Sequence, residues 1–345
     1  MALGGALLWG GGAVGRALPR GGGSAAEVGR ALFRRCAARG SAGSSPTVRV
    51  AEAGGFGRGL WAARTLRSGE VVLEESPVAS SPPALEGGGR VCWGCLRAVG
   101  SAPGAEVGGR AFCGEPCAAE ARRWYLGPDL ESTGAEERRF EELCERGGAG
   151  TLPLLVLRLA RSVARGKHPP SVLDPLCFAA VPEASSRAAW AEPFEAARAV
   201  LSAETPGGAP NFFDFPWFAG VLGRLHVNSF RVDALGVADW KCLLAAAGCV
   251  GAEGGGFDPP DPKRGNGTAA YLVASFLNHS CEPSLVQTFP GGDHRVRFTA
   301  ARDIAGGEQL FTSYIDQDAP RAARREKLSW AYGFDCACPK CLDGD

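Results

Sequence analysis

Short apolar runs separated by glycine-containing turns occupy the region after residue 46. They predict β-strands at Val48–Val50, Leu60–Ala63 and Val71–Leu73. Runs this short favour small antiparallel sheets over a parallel, doubly wound sheet. Strand patterns return near the end of the chain, in HRVRFTAARDI and GEQLFTSY. Strand patterns therefore lie both before and after the middle of the chain.

Apolar residues at three- and four-residue spacing replace the strand pattern from about residue 118 to residue 201. The segments EERRFEELCERG and LLVLRLARSVARG predict helices there. A further helix is predicted in APRAARREKLSWAY. Its run Arg321–Lys327 presents basic side chains either to an acidic partner or simply to solvent. Strands at both ends with helices between them favour an α+β fold.

Composition and charge argue against two broad classes of partner. Lys plus Arg and Asp plus Glu number 37 each, so the net charge is zero and gives no general attraction to nucleic acid. No apolar run approaches the roughly 20 residues that span a bilayer, so no membrane partner is expected. Glycine and proline cluster in ALEGGGR, ETPGGAP and GAEGGGFDPPDPKRGNG, which are predicted to be loops or linkers.

The first 45 residues are predicted to form a separate segment. They contain six arginines against a single acid, Glu27, among alanine, glycine and serine. This arginine-rich, acid-poor composition is typical of an organelle transit peptide, and a disordered low-complexity tail is the alternative. An organelle is therefore one expected location, if this segment directs import.

Thirteen cysteines, an odd number in tight groups, indicate metal binding rather than a disulfide framework. Cys92-x2-Cys95 and Cys113-x3-Cys117 supply four thiols, which is one complete tetrahedral zinc set. A redox C-x2-C site is the alternative, but no βαβ pattern surrounds it. We predict a structural zinc here, which implies a reducing compartment.

A second set of thiols follows near the end of the sequence. Cys336, Cys338 and Cys341 provide three ligands, and a closed structural zinc site needs a fourth. Cys281 is the predicted fourth ligand, because its neighbours in SFLNHSCEPS are too polar for simple core packing. Free thiols, or a site completed by a second chain, are the alternatives. Most of the five isolated cysteines are predicted to be small buried residues: Cys36, Cys144, Cys177, Cys242 and Cys249.

Five motifs follow one another in an order that resembles a known family: GFGRGLWAARTLRSGEVVLEESP, NSF, SFLNHSCEPS, GEQLFTSY and YGFDCACPKC. Their order and spacing are similar to those of SET-domain protein lysine methyltransferases. The zinc insertion resembles the SET-and-MYND branch. The resemblance covers about residues 46–125 and 211–345. It implies the SET fold of small antiparallel β-sheets, with a knot-like C-terminal threading and a post-SET zinc site.

The resemblance also implies a methyl donor, S-adenosylmethionine, and the residues that contact it. The implied cofactor-binding positions are Gly57, Arg58, Gly59, Asn228, Asn278 and His279. Glycines in such a turn allow backbone N–H groups to approach a ligand closely. Tyr314 matches the family's active-site tyrosine. Tyr332 and Phe334 match the aromatic walls of the lysine channel, which suit an aliphatic stem ending in a cation. Taken alone, the same residues also fit a hairpin turn, a surface strand position and core packing.

Several features depart from the family's pattern. Its MYND module usually carries eight zinc ligands in two sites, whereas this chain has only the four of one site. The usual binding of proline-rich partners is therefore in doubt. Ser284 stands where the family commonly has asparagine. Longer relatives continue into a helical C-terminal domain. Without it, the lysine cleft is expected to be more open or to be capped by another chain.

The predicted divisions of the chain follow from these motifs. They are a tail (1–45), the N-terminal SET part (46–91), the MYND-like zinc module (92–125), a helical linker or SET insert (126–210), the C-terminal SET part (211–334) and the post-SET cysteine tail (335–345). We expect an S-adenosylmethionine-dependent protein-lysine N-methyltransferase with two structural zinc ions, in the nucleus or the cytoplasm. Its expected partner is a protein that presents a lysine, in a histone tail or elsewhere. A catalytically inactive interaction scaffold is the alternative, and it predicts that donor binding has been lost.

Overall fold

A computed structural model describes residues 47–82, 91–99, 103–127, 134–146, 151–178, 183–233 and 267–343. The predicted N-terminal tail, most of the long glycine- and proline-rich linker, and three of the isolated cysteines (Cys36, Cys242 and Cys249) lie outside these residues. None of the helices in the described ranges has the length and apolar character that a membrane span requires.

Strands from the N-terminal part and from the later part of the described chain form small antiparallel sheets, as predicted. Strands β1 (Val48–Glu52) and β2 (Arg58–Ala62) form a hairpin. Strand β3 (Val71–Glu75) joins β10 (Leu285–Thr288) and β11 (Val296–Ala300), with β11 in the middle. A third sheet has the order β4–β8–β7, from Ala79–Ser81, Gly267–Ala270 and Ser229–Val232.

Within the described residues one strand pair is parallel, and it brings the NHSC and FTSY motifs together. Strand β9 (Asn278–His279) pairs with β12 (Phe311–Thr312), with Asn278 opposite Phe311 and His279 opposite Thr312. A single turn of 3-10 helix, Ala274–Phe276, leads into β9. The pairing places the NHSC segment directly beside the strand that precedes Tyr314.

A buried carboxylate fixes the turn that leads into β9. Glu75, 8% exposed at the end of β3, accepts hydrogen bonds from the backbone N–H groups of Leu272, Val273 and Ala274 at 2.7 to 3.1 Å. Burial raises the pKa of Glu75, and the three N–H donors oppose that shift. Each of its two oxygens receives N–H groups, which is the arrangement of an ionised carboxylate.

The middle of the chain is helical, as its periodicity predicts. Helices α2 (Ala135–Arg146), α3 (Leu152–Ala164), α4 (Glu183–Glu204) and α5 (Phe215–Asn228) pack together. Helix α3 is buried along most of its length because leucine and valine cover most of its circumference. Helix α5 begins at Asp214, whose carboxylate accepts the N–H of Trp217. Near that end Phe194, Phe213 and Phe218 pack with ring centroids 5.6 to 6.1 Å apart.

The zinc-module residues fold as a hairpin and a helix. Strands β5 (Ala105–Val107) and β6 (Arg110–Phe112) are followed by helix α1 (Glu115–Trp124). Their apolar side chains form a small separate core, made by Val99, Val107, Phe112, Ala118, Ala121 and Leu126. This core gives the module an interior of its own.

Buried charges join this module to the helices. Arg110 contacts Glu137 and Glu141 at 2.9 and 2.6 Å, and Arg161 contacts Glu137 at 2.8 Å and also Glu204. All five side chains are at most 14% exposed. A buried charge is tolerated only when it is paired, so this network fixes the module against helices α2, α3 and α4.

The chain ends in two further helices. Helix α6 (Arg321–Tyr332) stops at Gly333, whose φ of 72° lies in the left-handed region that favours glycine. The chain therefore turns sharply between Tyr332 and Phe334. The short helix α7 (Pro339–Leu342) carries Cys341. The basic face predicted for α6 is interrupted by Arg324, which is 2% exposed. Its guanidinium points inward, so the expectation of a wholly solvent- or partner-facing basic run is wrong at this residue.

Candidate functional site

The first cysteine cluster lies where the zinc module's turn meets its helix. The sulfur atoms of Cys92, Cys95, Cys113 and Cys117 all lie within 4.8 Å of one another, and none forms a disulfide. The Sγ–Sγ distances are 3.6 Å for Cys95–Cys113 and 3.5 Å for Cys113–Cys117. Four Zn–S bonds of about 2.3 Å in a tetrahedron put the sulfurs about 3.8 Å apart. The four residues fit a zinc ion.

The backbone around this cluster is tightly constrained. A Cβ at Gly94 would lie 2.9 Å from the Cβ of Cys117, so only glycine allows the two segments to approach. The carbonyl oxygens of the turn accept hydrogen bonds from outside the module. The carbonyl of Trp93 accepts a hydrogen bond from the Arg158 guanidinium, and the carbonyl of Cys95 accepts one from the backbone N–H of His294 at 2.7 Å. The module thus lies between the helices and the β10–β11 hairpin.

The second cysteine cluster joins residues that are about 60 positions apart. The sulfurs of Cys281, Cys336, Cys338 and Cys341 again lie within 4.8 Å of one another. Cys281 Sγ is 3.9 Å from Cys336 Sγ and 3.6 Å from Cys341 Sγ. These separations also fit a tetrahedral zinc ion. In the described part of the chain, these two are the groups that could hold a metal.

A cavity of about 1390 Å³ opens between these elements, and most of the predicted site residues line it. Gly57, Arg58, Asn228 and Asn278 line one part of the wall. Tyr314, Tyr332 and Phe334 line another. Gly59 does not line the cavity, but a Cβ on it would lie 2.8 Å from the amide nitrogens of Asn278 and Gln309. The glycine lets β2 lie close to the Asn278 side chain.

Long-range hydrogen bonds fix the polar side chains that line the cavity. Asn278 Nδ2 donates to the carbonyl of Arg58 at 3.3 Å. Asn228, 5% exposed, donates from Nδ2 to the carbonyls of Cys177 and Arg224, both at 2.7 Å. Arg58 donates to the carbonyl of Pro175 at 2.7 Å. These bonds fix both asparagines and the arginine in place.

The hydrogen bonds of Arg58 and Asn228 also place at the cavity a segment, Pro175–Cys177, that the sequence did not predict there. Leu176 and Cys177, which follow the helical insert's first helices, line the cavity. The half-buried thiol of Cys177 lies 3.8 Å from Asn228 Oδ1. Cys144, by contrast, is buried as predicted. No local pattern marks Pro175–Cys177, because their partners Arg58 and Asn228 are 117 and 51 positions away.

Three aromatic rings and an imidazole lie close together among the residues that line the cavity. The ring centroids of Tyr314 and Tyr332 are 4.9 Å apart, and those of Tyr332 and Phe334 are 6.5 Å apart. His279 lies 5.3 Å from Tyr314 and 6.1 Å from Phe334. The Tyr314 hydroxyl donates to the carbonyl of Leu277 at 2.6 Å. Burial, with smaller contributions from Cys177 and Tyr332, raises the pKa of Tyr314, so its phenol stays protonated.

Both ring nitrogens of His279 are engaged within the protein. Nδ1 accepts the backbone N–H of Tyr314 at 3.1 Å, and Nε2 lies 3.3 Å from Cys281 Sγ. Burial, aided by the charge of Arg324, lowers the pKa of His279 to about 4, so the ring is neutral. A neutral ring that accepts at Nδ1 carries its proton on Nε2. The imidazole therefore faces the cysteine cluster.

Comparisons with known proteins agree with these features. The model of the SET domain matches residues 57–315. The histone-lysine N-methyltransferase ATXR4 of Arabidopsis thaliana is 29% identical over 309 residues, 87% of this chain and 87% of its own length. A SET and MYND domain-containing protein of Dictyostelium discoideum is 30% identical over 38% of this chain and 33% of its own length. The N-lysine methyltransferase SMYD2-B of Danio rerio is 35% identical over 33% of this chain and 26% of its own length.

Among solved structures, the SET domain of LSMT, described as bound to lysine and AdoHcy, has a TM-score of 0.43 and 14% identity. The match covers 91% of this chain and 58% of that one.

Proposed function

The chain belongs to the SET-domain family, and from this premise we propose that it is an S-adenosylmethionine-dependent protein-lysine N-methyltransferase of the SET-and-MYND branch. The family's model covers residues 57–315, and relatives that carry the names of lysine methyltransferases match it. The proposed substrate is a lysine side chain in a protein, in a histone tail or elsewhere. A histone substrate would place the enzyme in the nucleus.

The observation that carries this proposal is one cavity lined by two chemically different sets of residues. One set is a glycine turn with two fixed asparagines, and the other is three aromatic rings. Backbone and amide groups suit the amino-acid and nucleoside parts of a methyl donor. Aromatic rings suit the stem and the cation of a lysine. A methyl transfer between the two needs both sets in one enclosed space.

The glycine turn fits the proposed donor. Gly57 has a φ of 74° with open space around it, so the turn leaves its backbone accessible to a ligand. Asn278 donates a hydrogen bond to the carbonyl of Arg58, and the preceding residue, Leu277, accepts the hydroxyl of Tyr314. When bound, S-adenosylmethionine supplies a methyl group on a sulfonium sulfur, which keeps the electron pair of the broken C–S bond. We assign donor binding to Gly57, Arg58, Gly59, Asn228 and the Asn278–His279 segment.

Tyr314 is proposed to orient the reacting groups and not to act as a base. Its raised pKa keeps the hydroxyl protonated, and the hydroxyl donates to Leu277. The oxygen lone pairs remain to accept from the lysine amine and to contact the polarised methyl group. The amine nitrogen must arrive deprotonated, because its lone pair forms the new N–C bond. The ammonium product then releases one proton to solvent.

Tyr332 and Phe334 are proposed to form the lysine channel. With Tyr314 they form a continuous aromatic wall, with ring centroids 4.9 and 6.5 Å apart, along which an aliphatic stem can pack. Ring faces attract the cationic form of the side chain during entry. The apolar walls exclude water, which favours loss of the proton near the donor.

Both cysteine clusters are proposed to hold structural zinc. The sulfur separations fit, and zinc held by four thiolates has no open position for catalysis. The second ion would fix the tail that carries Phe334 against the NHSC segment. We therefore expect Cys338→Ser to lose one equivalent of zinc and to abolish donor binding. The knot-like threading and the domain boundaries stated from the sequence stay predictions.

The test is transfer of label from S-adenosylmethionine to core histones and to whole-cell lysate by the full-length chain. Label on a discrete band is expected, reduced at least tenfold by Tyr314→Phe. The matched control is Tyr125→Phe. Tyr125 belongs to the zinc module, contacts Lys167 and does not line the cavity. Equal label with both variants would refute the role of Tyr314.

The alternative is an interaction scaffold without catalysis. It predicts that S-adenosylhomocysteine neither binds nor raises the melting temperature. The retention of Asn278, Tyr314, Tyr332 and Phe334 along one cavity favours the enzyme. Calorimetric titration with S-adenosylhomocysteine separates the two, because micromolar binding is incompatible with a scaffold that has lost its donor site.

A further inference from the structure

A continuous chain of hydrogen bonds links the backbone of Tyr314 to the second cysteine cluster. The Tyr314 N–H donates to His279 Nδ1 at 3.1 Å, and His279 Nε2–H donates to Cys281 Sγ at 3.3 Å. The imidazole is 6% exposed, so neither bond competes with bulk water. The His279 ring therefore contacts both the backbone of Tyr314 and Cys281, a proposed metal ligand.

Arg324 approaches the same cluster from helix α6. It is 2% exposed, and its Nη1 donates to the carbonyl of Ala319 at 2.6 Å. Its Nη2 lies 3.8 Å from Cys341 Sγ. Its neighbours Arg321 and Arg325 on the same helix are exposed. The chain therefore places one arginine of this basic helix against sulfur and leaves the others in water.

The chemistry of a metal tetrathiolate explains why these donors lie here. Four thiolates and one Zn²⁺ carry a net charge of −2, which is costly to bury without compensation. An imidazole N–H and a guanidinium withdraw electron density from two of the sulfurs and supply one positive charge. Cys281 comes from the NHSC segment and Cys341 from the tail, so the two donors act on both halves of the cluster.

We propose that His279 and Arg324 are positioning residues that couple metal occupancy of the second cluster to the placement of Tyr314. His279 transmits the position of Cys281 to the tyrosine backbone, and Arg324 retains the metal by compensating its charge. This inference rests on the proposed function only in naming Tyr314 as the residue that is placed. It assigns the His279 ring a task separate from donor binding, which falls to the backbone of the same strand.

Two substitutions of His279 separate the two hydrogen bonds. In His279→Asn the amide occupies the position of Nδ1 and keeps the acceptor for the Tyr314 N–H, but the donor to Cys281 is lost. In His279→Gln the longer side chain places its amide near the position of Nε2 and keeps the donor to Cys281, but the acceptor for Tyr314 is lost. The pair is matched in chemistry and differs only in reach.

Three measurements on the full-length, metal-loaded chain report on the two hydrogen bonds of His279. With Co²⁺ in place of zinc, the thiolate-to-metal charge-transfer band reports the bond to Cys281, with the first cluster as a constant background. The time for loss of Co²⁺ to a chelator reports retention. Hydrogen exchange at the Tyr314 amide reports the bond to Nδ1.

The expected pattern is crossed. His279→Asn shifts the charge-transfer band to lower energy and speeds loss of one Co²⁺ equivalent at least threefold. Its Tyr314 amide stays protected and no longer responds to removal of the metal, whereas removal speeds exchange of that amide in the wild type. His279→Gln keeps the band and speeds exchange of the Tyr314 amide at least tenfold. A residue that merely supports the fold would change all three readouts together in both variants. That result, or a band unchanged in His279→Asn, overturns the proposal.

Arg324 is tested by charge and shape. Arg324→Met is expected to speed Co²⁺ loss at least tenfold, and Arg324→Lys, which keeps the charge but not the planar fork, should fall between it and the wild type. Arg325→Met, on the exposed side of the same helix, is the control and should match the wild type. If Arg324→Met fails to fold, Arg324→Lys decides: metal loss at the wild-type rate refutes the role of the fork at Cys341.

None of these readouts requires a methyl donor or an acceptor protein. If the crossed pattern is found and no methyl transfer occurs, the proposed function fails and the coupling stands. If methyl transfer occurs and the pattern is not found, the coupling fails and the enzyme stands.

Discussion

Replacing Glu75 with glutamine tests whether a single buried carboxylate holds the strand that carries Asn278 and His279. The carboxylate accepts three backbone N–H groups, from Leu272, Val273 and Ala274. Glutamine has the same shape, but one of its two terminal atoms is an NH2 group that faces N–H donors in either orientation. One or two charge-assisted hydrogen bonds are therefore lost.

The magnitude follows from the number of bonds. A hydrogen bond to a charged group contributes about 1.5–3 kcal/mol, and a buried donor left without an acceptor costs about 1–3 kcal/mol. Losing one or two such bonds lowers the free energy of unfolding by about 3–5 kcal/mol. That is a large part of the roughly 5–15 kcal/mol typical of a whole protein.

The assay is urea denaturation of Glu75→Gln and of Glu74→Gln, its neighbour on the strand. Glu74 pairs with Arg297 at the surface, at 2.6 Å with 55% and 37% of the side chains exposed, so its loss should cost less than about 1 kcal/mol. Equal midpoints for Glu75→Gln and the wild type would refute the reasoning. They would mean that Glu75 is buried as the neutral acid, for which glutamine is an adequate substitute.

Four further predictions concern the site and its supports. Gly59→Ala should weaken binding of S-adenosylhomocysteine at least tenfold in a calorimetric titration, because the added Cβ lies 2.8 Å from Asn278 Nδ2. Arg161→Met should lower the free energy of unfolding in urea by about 3–5 kcal/mol, since the buried Glu204 loses its partner and Glu137 keeps only Arg110. Methyl transfer should increase with pH up to about 10, because the lysine amine must be deprotonated while Tyr314 stays protonated. Cys95→Ser should lose one zinc equivalent by metal analysis, but leave donor affinity within about threefold because its cluster does not line the cavity.

Controls and contrary outcomes are specific to each. Gly134→Ala, with open space around it, should bind like the wild type. Arg198→Met breaks only an exposed pair with Glu195 and should cost less than about 1 kcal/mol. The folded state holds the Tyr314 proton more tightly than the unfolded state does, so stability should decline as pH rises above about 10, and less so in Tyr314→Phe. A loss of donor affinity in Cys95→Ser equal to that in Cys338→Ser would contradict the separate roles of the clusters.

Several strands and helices and the two cysteine groups could be predicted from the sequence, because they depend on local spacing or on a fixed number of ligands. The first three strands and helices α2, α3 and α6 begin and end within a few residues of the predicted segments. The grouping of Cys281 with the three later cysteines required only the count of ligands. These features depend on periodicity and on tetrahedral coordination, which act over short stretches or through fixed chemistry.

Glu75 shows what local spacing could not give. Alternation from the buried Val72 would bury Glu74 and expose Glu75, and the structure has the reverse. The register between β11 and β3 shifts at Phe298–Thr299, so Val72 has no partner across the pair. Such a bulge reverses the alternation of the residues that follow it. Its cause lies in a strand more than 200 positions away.

Arg324 is a different case, because a local signal was present. It stands four positions before Leu328 and eight before Tyr332, on the inward face of helix α6. That spacing predicts burial, whereas the basic composition of Arg321–Lys327 suggests solvent. Position and composition therefore conflict at Arg324, and the cysteine cluster that makes an inward arginine favourable comes from elsewhere in the chain.

The order of the two cysteine clusters along the chain has a consequence for synthesis. The first cluster is complete within 26 residues and can take up its metal as soon as Cys117 has left the ribosome. The second needs Cys341, which is added 60 residues after Cys281. At about 5–20 residues per second this interval lasts roughly 3 to 12 s. During it, Gly57, Asn228 and Asn278 have already been made, but the second cluster that donor binding is expected to need is incomplete, and Tyr332 and Phe334 have yet to reach their places. A nascent chain is thus able to complete its first metal site before it can bind either a methyl donor or an acceptor, and completion of the second cluster decides when it becomes competent.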